Sequence, residues 1–243
     1  MKAVAKIKVP THLPDVELDA YLGEPHGDGP FPGVLVIHEI FGLDLNAREK
    51  VERFASAGYV ALAPDLYSAA GRFCMIRTLT ASMRGKGSAF DYLRSARSWL
   101  ADRDDTDPRN IGVAGFCMGG GFAVFLAADP EVKAAAPFYG WVPRRTSNLG
   151  PLCPVVGGWG GRDVIFRESA VRLEKHLHEI GSPSDIESYE DAGHGFMNVE
   201  GDPPWYSTKW PMYVGYDEAA AADGWQRVLA FFETHLKAPP LHE

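Results

Sequence analysis

Short apolar runs alternate with longer amphipathic segments along most of the chain. Residues 33–37 are continuously apolar and rich in β-branched side chains, which is typical of a strand buried on both faces of a sheet. Residues 46–57 follow with helical spacing and end at Gly58, a residue suited to a left-handed helix stop. The same strand and helix unit then recurs. The pattern predicts further strands at 59–63, 111–114, 132–138, 154–158 and 186–189, and further helices at 88–101, after Met118, at 168–180 and at 218–236.

The order of these elements predicts the fold class. Two stretches of alternating polarity, 3–9 and 16–22, predict an opening hairpin before the first buried strand. Strands that alternate with helices indicate an α/β protein with a mostly parallel central sheet and helices on both faces. No fixed-period repeat, low-complexity tract or linker divides the 243 residues, so we expect one domain over 1–243.

Charge, apolar run length and cysteine usage narrow the classes of partner. The formal net charge is −8 and the sequence has no run of Lys and Arg, which disfavours nucleic-acid binding. No apolar run approaches the roughly 20 residues of a membrane span, and the start lacks the apolar stretch of a signal peptide, so we expect a cytoplasmic protein. Three widely spaced cysteines fit neither a disulfide framework nor a zinc site. We predict neither metal nor cofactor, and a monomer or small homo-oligomer.

The segment 111–121 carries the most informative motif. An apolar strand runs directly into Gly-Phe-Cys-Met-Gly at 115–119, the cysteine form of a nucleophile elbow, in which a sharp strand-to-helix turn exposes the central side chain. The flanking glycines remove Cβ atoms that would collide with the neighbouring strand and helix. Cys117 would then lie at a helix N-terminus, where a thiolate is favoured and the N–H of Met118 can point at the oxygen of an attacked carbonyl.

Two other interpretations of this segment stay open. Its glycines could form a phosphate-binding turn for a dinucleotide, although the spacing is not Gly-x-Gly-x-x-Gly and the segment lies in the middle of the chain. Cys117 could also be a buried, unreactive thiol that packs like a small apolar residue. A catalytic thiol needs a base and an acid, and the presence of both would favour the elbow.

Candidate partners for Cys117 follow in the chain order nucleophile, acid, histidine that such an elbow requires. Asp163 comes just after the apolar run 154–158, and His194 lies between two glycines after the strand predicted at 186–189. Asp163 could instead cap the helix that follows it, and His194 could be an ordinary loop histidine. Because all three residues fall at the carboxyl ends of strands, where open α/β sheets hold their sites, the sequence predicts a Cys-His-Asp triad.

Four segments together resemble the dienelactone hydrolases, over essentially the whole chain. They are Gly-Phe-Cys-Met-Gly-Gly-Gly at 115–121, Gly-Arg-Asp at 161–163, Ala-Gly-His-Gly-Phe at 192–196 and His-Glu-Ile-Phe-Gly at 38–42. The resemblance implies an α/β-hydrolase fold and hydrolysis of a small ester or lactone through a thioester on Cys117. It also implies that His194 protonates the leaving group and then activates water, while Asp163 orients His194.

The segment 38–42 separates this family from general esterases. By resemblance, the Glu39 carboxylate lies near the nucleophile and exchanges the thiol proton when substrate enters; the alternative is a loop carboxylate paired with an arginine. The resemblance also implies an oxyanion hole formed by the backbone N–H groups of Ile40 and Met118. The remaining histidines are interpreted as non-functional, including His12, His26 and His38.

The sequence departs from the family where the substrate would be held. Family members that act on dienelactone carry an arginine shortly after the catalytic histidine, whereas this chain continues His-Gly-Phe-Met-Asn at 194–198. Arg77, or one of two neighbouring arginines, could contact a substrate carboxylate instead, or could be an ordinary surface residue. Trp205 and Tyr206 could wall an acyl pocket, or could belong to a loop packed on the core or to an oligomer contact.

Other functions are compatible with the same motifs. A carboxylesterase or thioesterase acting on neutral acyl substrates would use an identical triad. A peroxide-sensing or thiol-redox role for Cys117 predicts a resolving cysteine, but neither Cys74 nor Cys153 has a recognisable spacing for one. A binding module with a hydrolase fold and no activity is the remaining alternative.

Overall fold

A computed structural model describes residues 1–68, 74–199, 201, 203, 205 and 207–237, and within them an eight-stranded sheet is flanked by helices. The strands are β1 (Ala5–Pro10), β2 (Glu17–Gly23), β3 (Phe31–Ile37), β4 (Val60–Pro64), β5 (Thr106–Phe116), β6 (Ala134–Phe138), β7 (Val155–Gly160) and β8 (Ser184–Tyr189). The helices are α1 (Leu45–Ser56), α2 (Cys74–Arg84), α3 (Ser88–Ala101), α4 (Met118–Leu126), α5 (Arg167–Ile180) and α6 (Glu218–Phe232). A 3₁₀ turn covers Thr146–Asn148, and a π-helical turn, Glu233–Lys237, continues α6.

The sheet has the strand order β1-β2-β4-β3-β5-β6-β7-β8. The predicted hairpin of β1 and β2 is antiparallel and pairs antiparallel with β4, while the strands from β4 to β8 in this order are all parallel. The connections through α1 and α3 run in opposite directions across the sheet, so right-handed crossovers place these helices on opposite faces. The prediction of an α/β-hydrolase fold with a mostly parallel sheet is confirmed.

Some elements differ from the sequence-based prediction. Helix α2 was not predicted, because its buried face includes the polar residues Thr78 and Ser82 and so lacks a clear apolar period. Strand β5 begins five residues before the predicted start at 111, with Pro108 inside it beside a register shift in its pairing with β3. The predicted helix 218–236 changes from α to π geometry after Phe232.

The direction of the chain across the sheet reverses between β3 and β5. The strand that follows β3 in the chain, β4, lies on one side of the β3–β5 pair, and the strand that follows β5, β6, lies on the other side. Such a reversal opens a crevice at the carboxyl ends of the two central strands. The ends of β3, β5 and β6 are aligned, since Ile37 pairs with Gly115 and Phe116 with Phe138. Residues that directly follow these three strands therefore meet at one edge. No helix in the described part of the chain has the length and apolarity needed to cross a bilayer.

Candidate active site

Cys117 occupies the turn between β5 and α4. Its backbone has φ 53° and ψ −115°, a conformation that costs a non-glycine residue energy and that surrounding contacts must enforce. The N–H of Cys117 donates to the carbonyl of Phe138 at 3.1 Å, which ties the turn to the end of β6. The side chain is half-buried rather than sealed in the core. The segment has the geometry of a nucleophile elbow.

Glycines on both sides of Cys117 allow this turn to form. A Cβ on Gly115 would overlap with the carbonyl group of Gly119, and a Cβ on Gly119 would overlap with the carbonyl group of Ile37 at the end of β3. Both obstacles are backbone atoms, which cannot rotate away as a side chain would. The start of α4 is thus pressed against the end of β3.

Replacing Gly119 with Ala should destabilise the protein by about 3 kcal/mol, although Ala is the better helix former by roughly 1 kcal/mol. The overlap with Ile37 reverses the sign that helix propensity alone would give. Urea unfolding measures the change, and Gly215→Ala is the matched control, because a Cβ at Gly215 meets no atom within 4 Å. Equal free energies of unfolding for the two variants would contradict the packing argument.

Asp163 and His194 form a buried hydrogen-bonded pair. Nδ1 of His194 lies 2.6 Å from Oδ2 of Asp163, and both side chains are almost fully buried. The other oxygen of Asp163 accepts from the backbone N–H groups of Ile165 at 3.1 Å and Phe166 at 3.2 Å. Asp163 therefore bonds both to the turn before α5 and to the imidazole, while the N-cap residue of α5 itself is Phe166.

The second nitrogen of His194 lies on the side of Cys117. Its Nε2 is buried and makes no hydrogen bond of regular geometry in the described residues, but the imidazole interacts with the Cys117 side chain. The rings of Tyr139 and Phe166 each lie 5.1 Å from the imidazole centroid. Burial disfavours the protonated ring, but a negative charge on Cys117 and the hydrogen bond to Asp163 raise the pKa of His194 to about 10. A charged sulfur at Cys117 therefore favours the protonated form of His194.

Glu39 follows β3 and belongs to a buried polar cluster. Its Oε1 accepts from the hydroxyl of Tyr139 at 3.1 Å, and its Oε2 accepts from the amide of Asn198 at 3.0 Å. Burial, together with the charges of Glu39 and Cys117, raises the pKa of the Tyr139 hydroxyl well above its ordinary value. Tyr139 is therefore hydrogen-bonded to Glu39 and lies within electrostatic reach of Cys117.

Lys50 supplies a positive charge behind this cluster. Its Nζ donates to Oδ1 of Asn198 at 2.7 Å and lies 4.7 Å from the centroid of the Phe116 ring. The side chain is only 1% exposed, and this burial lowers the pKa of Lys50 while the Glu39 carboxylate acts in the opposite direction. A Lys–Asn–Glu chain thus offsets the charge of Glu39 within the interior.

The predicted oxyanion donors lie on two adjoining segments. Among the described residues, the backbone N–H groups of Ile40 and Met118 make no hydrogen bond to a carbonyl in a turn or loop. Met118 is the first residue of α4, and N–H groups in the first turn of a helix have no acceptor within that helix. Tyr67 connects the two segments, since its hydroxyl is 2.9 Å from the carbonyl oxygen of Ile40 and 3.5 Å from the sulfur of Met118.

Two of the three predicted substrate-binding residues, Arg77 and Trp205, are exposed at the surface. Arg77 is exposed on α2 and lines a surface depression of about 210 Å³ that contains neither Cys117 nor its proposed partners. Trp205 is 75% exposed, and the Lys209 ammonium lies over its ring. Tyr206 lies outside the described residues.

Residues 212–215 hold the loop that carries His194. The N–H of His194 donates to the carbonyl of Met212 at 2.9 Å, and the N–H of Gly215 donates to the carbonyl of His194 at 3.2 Å. Gly193 fits directly beneath the backbone of Tyr213, where any Cβ would overlap with it. Residues 212–215 therefore pack on the histidine loop.

Sequence reasoning missed three members of the polar cluster. Tyr139 directly follows a buried strand, the position that also singled out Cys117 and Asp163. Lys50 occupies an apolar-face position of α1, between Ala47 and Phe54, where a lysine is unexpected. Asn198 had no local signal beyond its closeness to His194.

A cysteine elbow at the reversal point of such a sheet, followed along the chain by a buried Asp–His pair, is the arrangement of an α/β-hydrolase. Among the described residues, no three His, Cys, Asp or Glu side chains are grouped to hold a metal ion. Within this class the chain belongs to the dienelactone hydrolase family, whose sequence profile matches residues 18–236. It is accordingly a carboxylic ester hydrolase of the dienelactone hydrolase type.

Relatives and solved structures agree with this assignment. A Salmonella typhimurium protein named "Putative carboxymethylenebutenolidase" is 34% identical over 235 residues, which cover 89% of this chain and 82% of that protein. A structure named "Putative Dienelactone Hydrolase", from Klebsiella pneumoniae, matches with a TM-score of 0.74 and 27% identity, over 94% of this chain and 97% of that one. A dienelactone hydrolase structure from Anabaena variabilis, at 20% identity and a TM-score of 0.68, covers 96% and 99% and supports the fold.

Proposed function

We propose that this enzyme cleaves a small, diffusible ester or lactone in the cytoplasm through a thioester on Cys117, with His194 and Asp163 as its partners. The observation that carries the proposal is the buried 2.6 Å hydrogen bond between Asp163 and His194, which leaves Nε2 free beside a strained cysteine elbow. Hydrogen bonds of catalytic groups are often incomplete without substrate, so a free Nε2 is compatible with a base that engages Cys117 during the reaction.

In the first half of the reaction, the Cys117 thiolate attacks the carbonyl carbon and forms a tetrahedral oxyanion. The N–H groups of Ile40 and Met118 stabilise this oxyanion as charge develops. The intermediate collapses with cleavage of the carbon–oxygen bond, and His194 donates its Nε2 proton to the departing alkoxide or enolate. For a lactone the leaving oxygen stays attached to the acyl chain, which remains bound as a thioester.

In the second half, water hydrolyses the thioester. Neutral His194 takes a proton from the water as it attacks, the same N–H groups hold the second oxyanion, and the carbon–sulfur bond breaks. Asp163 keeps the hydrogen on Nδ1 throughout, so Nε2 is the nitrogen that exchanges protons. The products are a carboxylic acid and the regenerated thiol, together with the alcohol or enol released earlier.

Glu39 is proposed to exchange a proton with Cys117 when substrate enters. Its two oxygens accept from Tyr139 and Asn198, and each keeps a second acceptor site that can take up the thiol proton. Oε1 is the better placed of the two, because its partner Tyr139 interacts electrostatically with both Glu39 and Cys117. Asn198 and Lys50 would then hold the other oxygen in place.

A neutral acyl substrate is the second candidate, and exposed apolar side chains favour it. Loops at the active edge expose Phe41 by 72%, Ile165 by 46% and Val199 by 47%, each within a few residues of a proposed catalytic group. The cation nearest to Glu39 along its hydrogen bonds, Lys50, is already bound to Asn198. Such an edge suits an uncharged ester or thioester at least as well as a substrate carboxylate.

Intact-protein mass spectrometry tests the proposal and separates its two forms. The enzyme is exposed to p-nitrophenyl esters and to lactones with and without a carboxylate, and the added mass identifies both the acyl group and the residue that carries it. We expect a transient thioester on Cys117. Faster turnover of carboxylate-bearing lactones would favour the dienelactone-like form, whereas faster turnover of neutral esters would favour the alternative. Hydrolysis with an acyl group on another residue would refute both.

A further inference from the structure

We propose that His38 is a positioning residue that fixes the peptide between Glu39 and Ile40 and thereby directs the Ile40 N–H toward the reacting oxygen. The inference deepens the proposed function, since it rests on Ile40 being an oxyanion donor. It departs from the sequence-based interpretation of His38 as non-functional. The side chain is 1% exposed, at the end of β3.

The hydrogen-bond partners of His38 define its tautomer. Leu66 uses its backbone N–H to donate to Nε2 of His38 at 3.1 Å, so Nε2 is an acceptor. The hydrogen must then lie on Nδ1, which is 2.5 Å from the carbonyl oxygen of Glu39 and donates to it. Burial lowers the pKa of His38, which favours this neutral form. The ring is therefore a rigid bridge from the loop after β4 to the loop after β3.

This bridge sets the direction of the Ile40 N–H. The Glu39–Ile40 bond is not among the cis peptides of the described chain, and in a trans peptide the N–H points opposite to the carbonyl. Pulling the Glu39 oxygen toward His38 therefore turns the Ile40 N–H away from that ring. On the far side of Ile40, the Tyr67 hydroxyl donates to the Ile40 carbonyl at 2.9 Å. Both peptide planes that flank Ile40 are thus held by side chains.

Such bracing matters because this segment lies outside regular structure. The hydrogen bond from the Gly42 N–H to the Glu39 carbonyl is long, at 3.3 Å, and neither Glu39 nor Ile40 belongs to a helix or strand. An oxyanion donor works when its N–H is already aimed at the developing charge, because reorientation would cost energy in the transition state. His38 supplies this preorganisation without touching the substrate.

Two substitutions separate the halves of the bridge. His38→Asn keeps a donor near the position of Nδ1 but loses the acceptor for Leu66, whereas His38→Gln places an acceptor near Nε2 and loses the donor to Glu39. With an activated ester, we expect His38→Gln to lower the acylation rate and kcat by about 10- to 100-fold and to change KM by less than about threefold. This loss is smaller than that caused by removing an oxyanion donor altogether, because the Ile40 N–H is still present but less well aimed. His38→Asn should recover most of that loss.

A purely structural role predicts the opposite order. If His38 matters only through its contact with Leu66, His38→Gln should be more active than His38→Asn. The activities of the two variants should then also follow their melting temperatures, and either result overturns the proposal. Should both variants fail to fold, Tyr67→Phe tests the same segment from its other side, and an unchanged kcat would overturn it. The mass of the acylated wild-type enzyme is an independent readout: absence of a Cys117 thioester there defeats the proposed function itself, whatever the His38 variants do.

Discussion

Replacing Cys117 with Ala should abolish the acyl-enzyme and lower kcat/KM for an activated ester by about 10⁴- to 10⁶-fold. The remaining groups can still bind an ester and polarise its carbonyl, but no sulfur is left to form the thioester. The loss is measured by p-nitrophenol release, and by the absence of an added acyl mass on the intact protein.

Cys153→Ala is the matched control for this experiment. Cys153 is also a free, half-buried cysteine, but it packs beside the core after the 3₁₀ turn, and burial raises the pKa of its thiol to about 12. A thiol with so high a pKa is almost entirely protonated at neutral pH and therefore a poor nucleophile. We expect this variant to keep its activity within about twofold. Similar losses in the two variants would show that cysteine replacement perturbs the fold rather than the chemistry.

The positions of the candidate nucleophile, acid and histidine could be predicted because each one carries a local signal. The glycines at 115 and 119 are needed where backbones meet, and an apolar run precedes both Cys117 and Asp163. Parallel strands bring their carboxyl ends to one edge, so residues that are distant in sequence converge without any knowledge of their contacts. The close pairing of Asp163 with His194 is the geometric consequence.

The environment of Glu39 could not be predicted in the same way. Lys50 and Asn198 are 148 positions apart, and their hydrogen bond depends on how α1 packs beside the loop after β8. The same long-range packing places Tyr139 against Glu39 across 100 positions. A buried lysine on an otherwise apolar helix face is a warning in the sequence, but it does not identify a partner.

His38 illustrates a further limit of sequence reasoning. Its chemistry depends on a tautomer, and the tautomer depends on one backbone N–H donated from Leu66 in another loop. Composition and spacing contain no record of that bond. Only the three-dimensional arrangement distinguishes a histidine that merely fills the core from one that fixes the orientation of a backbone peptide group.

Asp163→Asn should lower kcat by about 10²- to 10⁴-fold while leaving the fold intact. Asn retains one oxygen, which can still accept from the N–H groups of Ile165 and Phe166, so the turn before α5 keeps its hydrogen bonds. Its amide group then faces His194 and donates to Nδ1, which forces the hydrogen onto Nε2. The neutral imidazole can no longer accept a proton from water, so the thioester should accumulate and become visible by mass spectrometry.

The same variant should change the pH dependence of acylation in a defined direction. The hydrogen bond that His194 donates to Asp163 is one of the interactions that raise the pKa of His194 to about 10, so its loss lowers that pKa. Acylation needs the protonated imidazole to release the leaving group, and the wild-type rate should therefore fall only as the pH approaches about 10. In Asp163→Asn, the decline should begin at lower pH, as measured by single-turnover acylation across an alkaline series. An unchanged alkaline limb would mean that His194 is not the proton donor, because no other proposed group is hydrogen-bonded to Asp163 through its side chain.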